Sequence, residues 1–253
     1  MLAIERQNKI LADLQLNQTA LVSELSKSFN VTEETIRRDL EKLEKRGLVR
    51  KTYGGAVYGQ DITLEGPFRF QDTSNLEEIV LIAKKVADLV DNGDSIILDA
   101  SSVSLNAARA LKQKRDLSVI TNSVEILMTF GYVKTIKVFS TGGSLRESAY
   151  SLVGSAAEQM LAGFHVDKAF LSCAGIHRDS GITETNVQDA EIKKLMRQAA
   201  DQVILMADKS KFNQKGFIRF MDFTQVQTIV TSKALSQEWQ SYLSQNGIKL
   251  ILV

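Results

Sequence analysis

The sequence predicts an α/β protein, with a small helical unit at its N-terminus and an open, mainly parallel sheet behind it. Three observations carry this. From residue 76 onward, short apolar runs alternate with helical stretches, the order expected of a parallel α/β sheet. Those runs show little polar alternation, which suits strands covered on both faces. Residues 1–58 differ: they hold three short amphipathic segments, then basic residues around a Gly-Gly turn.

The N-terminal elements follow in order. Ile10, Leu11 and Leu14 make one face of a first helix, roughly residues 4 to 16. "ALVSELSKSF" gives a second helix with Leu21, Leu25 and Phe29 inward, and Asn30 and Val31 form a short turn. Thr32 is the expected N-cap of a third helix, where Glu33 and Glu34 complement the helix dipole. Ile36, Leu40 and Leu43 face the core, which leaves Thr35, Arg37 and Arg38 projecting elsewhere near the helix start. Gly47 closes that helix, and "LVRKTYGGAVY" reads as a two-stranded wing. Together these form a winged helix-turn-helix, whose last helix lies in the major groove of DNA. Arginine suits that helix because its fork grips guanine or phosphate, while Arg50 and Lys51 of the wing are placed for the phosphate backbone. The other reading of the same pattern is a three-helix protein-binding module with solvated arginines.

Charge supports a local site only. The 253 residues have a formal net charge of +1, so a global polycation argument for nucleic acid fails. From Arg37 to Lys51, however, seven basic residues face three acidic ones. The single cysteine, Cys173, excludes an intrachain disulfide and fits a cytoplasmic setting. Cys173, His165 and His177 give no zinc pattern, so no metal and no cofactor is expected. The first ten residues are too polar for a secretory signal, and no apolar stretch is long enough for a membrane span.

Residues 59–75 contain the only proline, Pro67, and no helical period, and read as a linker between domains at 1–58 and 76–253. Beyond it, "EEIVLIAKKVADLV" is a helix with Ile79, Ile82, Ala83, Val86 and Val90 on one side. "SIILD", "LSVIT", "TIKVFS", "KAFLS", "VILMAD", "TIVT" and "IKLILV" are strands. "SLNAARAL", "SVEILMTFG", "DAEIKKLMRQAA" and "ALSQEWQSYLSQ" are helices between some of them. After "SIILD", the hydroxyls of Ser101, Ser102 and Ser104 meet a helix N-terminus. Two readings stay open there, an anion site or ordinary helix capping. "VITNS" and "FSTGG" end strands in the same way, and ligands of open α/β sheets sit outside such strand ends.

"TEETIRRDLEKLEKRGLVRKTYGGA" resembles the signature of the DeoR family of bacterial transcriptional regulators, and the later stretches "DKAFLSCAGI", "GIT", "EIKKLMRQAADQVILMAD" and "DKSKF" resemble its effector domain. The resemblance implies operator contacts from Thr35, Arg37 and Arg38, with Tyr53 in the wing where the family often has histidine. It implies a C-terminal domain like ribose-5-phosphate isomerase in fold that binds a phosphorylated sugar or sugar-like metabolite. By the same carry-over the pocket residues are Asp99, Ser102, Thr121, Asn122, Ser123, Gly142, Gly143 and Lys211. One loop departs from the family's Asp-x-Gly-Ser-Thr: Ser101 replaces the glycine and Val103 the threonine. The expected function is a homo-oligomeric (dimeric or tetrameric) repressor of carbohydrate-metabolism genes. The alternative is a sugar-phosphate isomerase-like enzyme with an appended helical interaction module, for which Asp179, Glu184 and Glu191 are the available bases. The segment "SCAGI" carries no carboxylate, so the acid–base set for an isomerase is incomplete.

Overall fold

The computed structural model describes residues 3–17, 19–45, 48–52, 54–58 and 76–253, which fall into two units, Met1–Glu65 and Gly66–Val253. The expected linker at 59–75, Gly47 and Tyr53 lie outside the described residues, and of Arg50 only the backbone is described.

In the first unit, helices α1 (Ala3–Asn17), α2 (Val22–Phe29) and α3 (Glu33–Lys45) pack around Ile10, Leu14, Val22, Leu25, Ile36, Leu40 and Leu43. Asn30 takes a left-handed conformation (φ 52°) that ends α2, and Thr32 Oγ1 accepts from Thr35 N at 3.3 Å at the start of α3. Strands β2 (Val49–Thr52) and β3 (Gly55–Tyr58) form the antiparallel wing. A third strand, β1 (Thr19–Leu21), pairs with β3 where the sequence reads as the start of α2. Leu21 is therefore not inward but half exposed, and Val22 takes the core position. The pairing needs Gly55: a Cβ there would lie 2.3 Å from the Ala20 carbonyl oxygen. One buried polar link joins α1 to α3. Arg6 Nε and Gln7 Nε2 donate to the two oxygens of Asp39 at 2.5 and 2.8 Å, and Asp39 is 2% exposed.

The second unit is a seven-stranded sheet in the order β15-β14-β12-β9-β4-β5-β6, parallel throughout. Its strands are β4 (Ser95–Leu98), β5 (Leu117–Thr121), β6 (Ile136–Ser140), β9 (Val166–Leu171), β12 (Ala200–Met206), β14 (Thr228–Thr231) and β15 (Lys249–Leu252). Helices α4 (Leu76–Asp88), α5 (Ser102–Leu111) and α6 (Val124–Phe130) share one core with Ile96, Leu98 and Phe170. Helices α7 (Ser155–Leu161), α8 (Val187–Gln198) and α9 (Gln237–Gln245) share the other with Ile97, Ala169 and Leu171. Alternate residues of β4 thus bury on opposite faces, which is why its sequence reads as an unbroken apolar run.

Three features depart from the sequence reading. A hairpin, β7 (Ser144–Arg146) and β8 (Ser151–Val153), follows the Gly142-Gly143 turn. A small antiparallel sheet joins β10 (Gly175–His177), β11 (Gly181–Glu184) and β13 (Ile218–Met221). The helix α7 was also not anticipated. The strands have only three or four residues each and sit between glycines, so no period develops. The chain's one tryptophan, Trp239 on α9, is buried, and its Nε1 donates to Asn213 Oδ1 at 2.9 Å.

Candidate functional site

On α3, Arg37 and Arg38 lie on the exposed surface, away from Ile36, Leu40 and Leu43. Arg37 Nη2 reaches Glu33 Oε2 at 3.1 Å, and Arg38 Nε reaches Glu34 Oε1 at 3.2 Å, one helical turn back in each case. The acidic first turn therefore faces the arginines and balances their charge. Such exposed pairs are weak and screened by salt, so a phosphate can replace the carboxylate. The Thr35 and Thr32 hydroxyls are 2.9 Å apart. In the wing, Lys51 is exposed; its backbone N donates to Glu44 Oε1 at 2.7 Å, which ties β2 to α3.

In the sheet, the chain leaves β4 toward β5 and β6 on one side, and after β9 builds β12, β14 and β15 on the other. The boundary between β4 and β9 is the topological switch point, where open α/β sheets bind ligands at the carboxyl ends of strands. A cavity of about 400 Å³ opens there, within the usual size of a small-molecule site. It is lined by Asp99, Ala100, Ser101, Ser102 and Val103 after β4, by Ser172, Cys173 and Ala174 after β9, and by Asn122 after β5. Arg146, Ser148 and Ala149 of the hairpin, Glu184, Thr185, Asp189 and Lys193 around α8, and Asp208 and Lys211 after β12 complete the walls with Ile79 and Met206.

Asp99 is the hub of this cavity and is 1% exposed. Its Oδ1 accepts from the Ser101 and Ser104 hydroxyls at 2.6 Å each; its Oδ2 accepts from Ser172 N at 2.7 Å and Ser172 Oγ at 3.0 Å. Lys193 Nζ lies 3.2 Å from the same Oδ2 and also bonds Glu184 and the Ser172 carbonyl. Burial disfavours the Asp99 charge, but Lys193, the two hydroxyls and the Ser172 amide outweigh it and hold the carboxyl below its ordinary pKa. Lys193 stays charged for the same reason: Glu184 and Asp99 overcome its burial and raise its pKa. Burial and the Glu184 carboxylate push the Cys173 thiol up to about 12, so it is a neutral wall residue and no nucleophile. Arg146 pairs with Asp189, whose pKa burial raises against that attraction. Lys211 differs from Arg146 and Lys193: its ammonium makes no hydrogen bond or ion pair among the described residues.

The sequence-derived pocket set is thus divided. Asp99, Ser101, Ser102, Asn122 and Lys211 line the cavity. Ser104, Thr121 and Ser123 are buried beneath it: Ser104 holds Asp99, Thr121 Oγ1 accepts from Ser123 N, and Ser123 caps α6. Gly142 and Gly143 do not line it. Gly143 (φ 105°) is needed for packing, since a Cβ would lie 2.5 Å from the Val153 carbonyl oxygen. Of the two readings of the serine loop, the structure shows the helix cap, with Ser101 and Ser102 also lining the cavity. Ser101 accepts from Ser104 N as the N-cap of α5, and at φ −120° it needs no glycine. Lys193, Arg146 and Asp189 were missed. A lysine inside the apolar stripe of α8, between Ala190 and Met196, was the available signal; Arg146 has none, because its partner lies 43 residues away. Of the bases weighed for an isomerase, Asp179 is exposed, Glu191 pairs with Lys194, and Glu184 is held by Lys193.

The architecture is that of a winged helix-turn-helix regulator carrying an α/β sensor domain. Residues 6–61 match the DeoR-like helix-turn-helix domain and residues 74–233 the DeoR C terminal sensor domain. The chain belongs to the DeoR family of transcriptional regulators and is not an enzyme. It is 40% identical over 253 residues to the HTH-type transcriptional regulator YulB of Bacillus subtilis, covering 100% of this chain and 98% of that one. It is 28% identical over 251 residues to a protein of Escherichia coli O157:H7 named as an aga operon transcriptional repressor, covering 98% and 93%. Among solved structures, ribose 5-phosphate isomerase A of Methanocaldococcus jannaschii aligns over 55% of each chain, with TM-score 0.40 and 18% identity. No described helix is long and apolar enough to cross a membrane.

Proposed function

We propose that this regulator represses genes of carbohydrate metabolism from operator DNA, and that a phosphorylated sugar or related metabolite in the switch-point cavity changes its affinity for that DNA. Thr35, Arg37 and Arg38 enter the major groove, and Arg50, Lys51 and Tyr53 of the wing hold the backbone. The observation that carries the effector half is the lining of the cavity. Arg146 and Lys193 are already neutralised by carboxylates, while the Lys211 ammonium is uncommitted among the described residues. One available cation amid hydroxyl, amide and carboxylate groups suits a polyhydroxyl compound with a single anionic group. The likeness to the aga operon repressor supports repression, and 32% identity over 247 residues to the L-fucose operon activator of Haemophilus influenzae supports a carbohydrate setting. The regulator acts in the cytoplasm as a homo-oligomer, since paired half-sites match two-fold symmetry.

Fluorescence anisotropy on DNA from upstream of its own gene, at fixed salt, tests this reading. One phosphorylated sugar is expected to shift operator affinity by about tenfold, or 1.4 kcal/mol. That shift is expected to disappear in Lys211→Ala while operator binding itself is retained. An unchanged response in Lys211→Ala removes Lys211 from the effector site.

A further inference from the structure

Among the described residues, four buried side-chain atoms have no hydrogen-bond partner: Asn122 Oδ1, Arg146 Nε, Arg197 Nε and Thr231 Oγ1. Arg197 and Thr231 do not line the cavity, whereas Asn122 and Arg146 both do. The two are also neighbours through the backbone. Leu152 N donates to the Asn122 carbonyl at 2.7 Å, and Asn122 Nδ2 donates to the Leu152 carbonyl at 3.3 Å. Leu152 follows Ser151, which stands opposite Arg146 in the hairpin. The bond to Leu152 fixes the amide orientation, because only an NH₂ can donate to a carbonyl; the oxygen is left over. Asn122 is 3% exposed, so this oxygen cannot turn to bulk water. On Arg146, Nη1 donates to Ser148 Oγ at 2.7 Å and Nη2 is held by Asp189, which leaves Nε.

Two neighbouring residues of one wall of a ligand-sized cavity thus hold an unused acceptor and an unused donor. Each buried polar atom calls for a partner. A carbonyl only accepts and would satisfy Arg146 alone; an ammonium only donates and would meet the guanidinium charge. A hydroxyl does both. Asn122 follows β5 and Lys211 follows β12, strands on opposite sides of the β4–β9 boundary in the sheet order.

We infer that Asn122 and Arg146 form a hydroxyl-reading subsite that recognises the polyol end of the effector, opposite the end held by Lys211. A ligand hydroxyl donates to Asn122 Oδ1 and accepts from Arg146 Nε. The anionic end rests on the function proposed above; the hydroxyl end does not. Specificity among phosphorylated compounds is then set by chain length and by the hydroxyls presented at this wall.

Calorimetry on the full-length protein tests this with two sets of probes. The first comprises inorganic phosphate, glycerol 3-phosphate, ribose 5-phosphate, fructose 6-phosphate and glucose 6-phosphate; the second comprises ribitol, sorbitol, ribose, fructose and glucose. Arg146→Lys keeps a cation for Asp189 but removes the Nε donor, and Asn122→Ala removes the acceptor. If Asn122→Ala fails to fold, Arg146→Lys decides. At least one five- or six-carbon phosphate is expected to bind about tenfold more tightly than glycerol 3-phosphate. Each variant is expected to erase that advantage and leave the binding of inorganic phosphate unchanged. Equal losses for short and long probes, or no loss, overturn the subsite and leave the proposed function standing. Phosphate-free polyols that bind as well as their phosphates, and weaken in both variants, keep the subsite and overturn the phosphate reading. No binding by any probe to the wild-type protein overturns both.

Discussion

Arg37 and Arg38 on α3 and Lys193 on α8 are all cations held by carboxylates, yet only the first two meet solvent. The α3 pairs are single, local and one turn apart. The Lys193 cluster draws on Asp99 after β4, Ser172 after β9 and Glu184 at the end of β11, and is nearly sealed from water. Burial decides what each pair is for. An exposed pair gives up its carboxylate readily to another anion, whereas a buried one cannot be opened without stranding a charge. Arg37 and Arg38 can thereby exchange partners at the surface, as the proposed DNA contact requires, whereas Lys193 is committed to shaping a cavity.

The strongest way to break this contrast is Lys193→Met, which leaves Asp99 and Glu184 buried without their cation. Urea denaturation is expected to show a loss of about 3–5 kcal/mol. A loss below about 1 kcal/mol means the cluster does not organise the cavity. Asp39→Ala sharpens the comparison from inside the first unit. It strands Arg6 in the same way, so a loss of similar size, about 3–5 kcal/mol, is expected there and not for the exposed arginines. Arg37→Ala and Arg38→Ala should leave the urea midpoint unchanged while operator affinity falls by on the order of tenfold at fixed salt. Unchanged affinity in both removes them from the recognition surface.

A smaller effect separates the units by pH. The folded pKa of Asp99 lies below its ordinary value of 3.8. Its contribution to stability is therefore complete above that value and is lost as pH falls through the lower folded one. The stability gap between wild type and Asp99→Asn should hold from neutral pH to roughly pH 5 and narrow below roughly pH 4. A gap that is constant down to pH 3, roughly, contradicts the charged cluster. The smallest change is expected for Lys51→Ala: uniformly weaker DNA binding, with the salt dependence reduced by about one counterion. A sequence-dependent loss would instead assign Lys51 to base reading.

The strands β5 and β14 could be read from sequence to the residue, because each is a short run rich in β-branched residues between turn signals. The wing and α3 were equally readable, since heptad-like spacing and a Gly-Gly turn are local signals. The cavity was legible where hydroxyls cluster at a helix start, as in Ser101 and Ser102, and where the family resemblance supplied Asp99, Asn122 and Lys211. The remainder depends on long-range pairing. Ser172 meets Asp99 across 73 residues, and Arg146 meets Asp189 across 43. Ser101, which stands where the family has glycine, supplies a helix cap and a bond to Asp99 at a φ open to any residue. β1 was misread because pairing with Gly55, a tertiary contact, overrides the helical run that contains it.

The bond from Trp239 to Asn213 has an optical consequence. Asn213 lies two residues beyond Lys211, in a left-handed conformation (φ 64°), so the only indole in the chain is anchored to the segment that carries the available ammonium. Arg178 lies 5.2 Å from the same ring centroid. At the proposed effector site, ligand binding to Lys211 is therefore expected to shift the emission of this single fluorophore, a readout that needs no label.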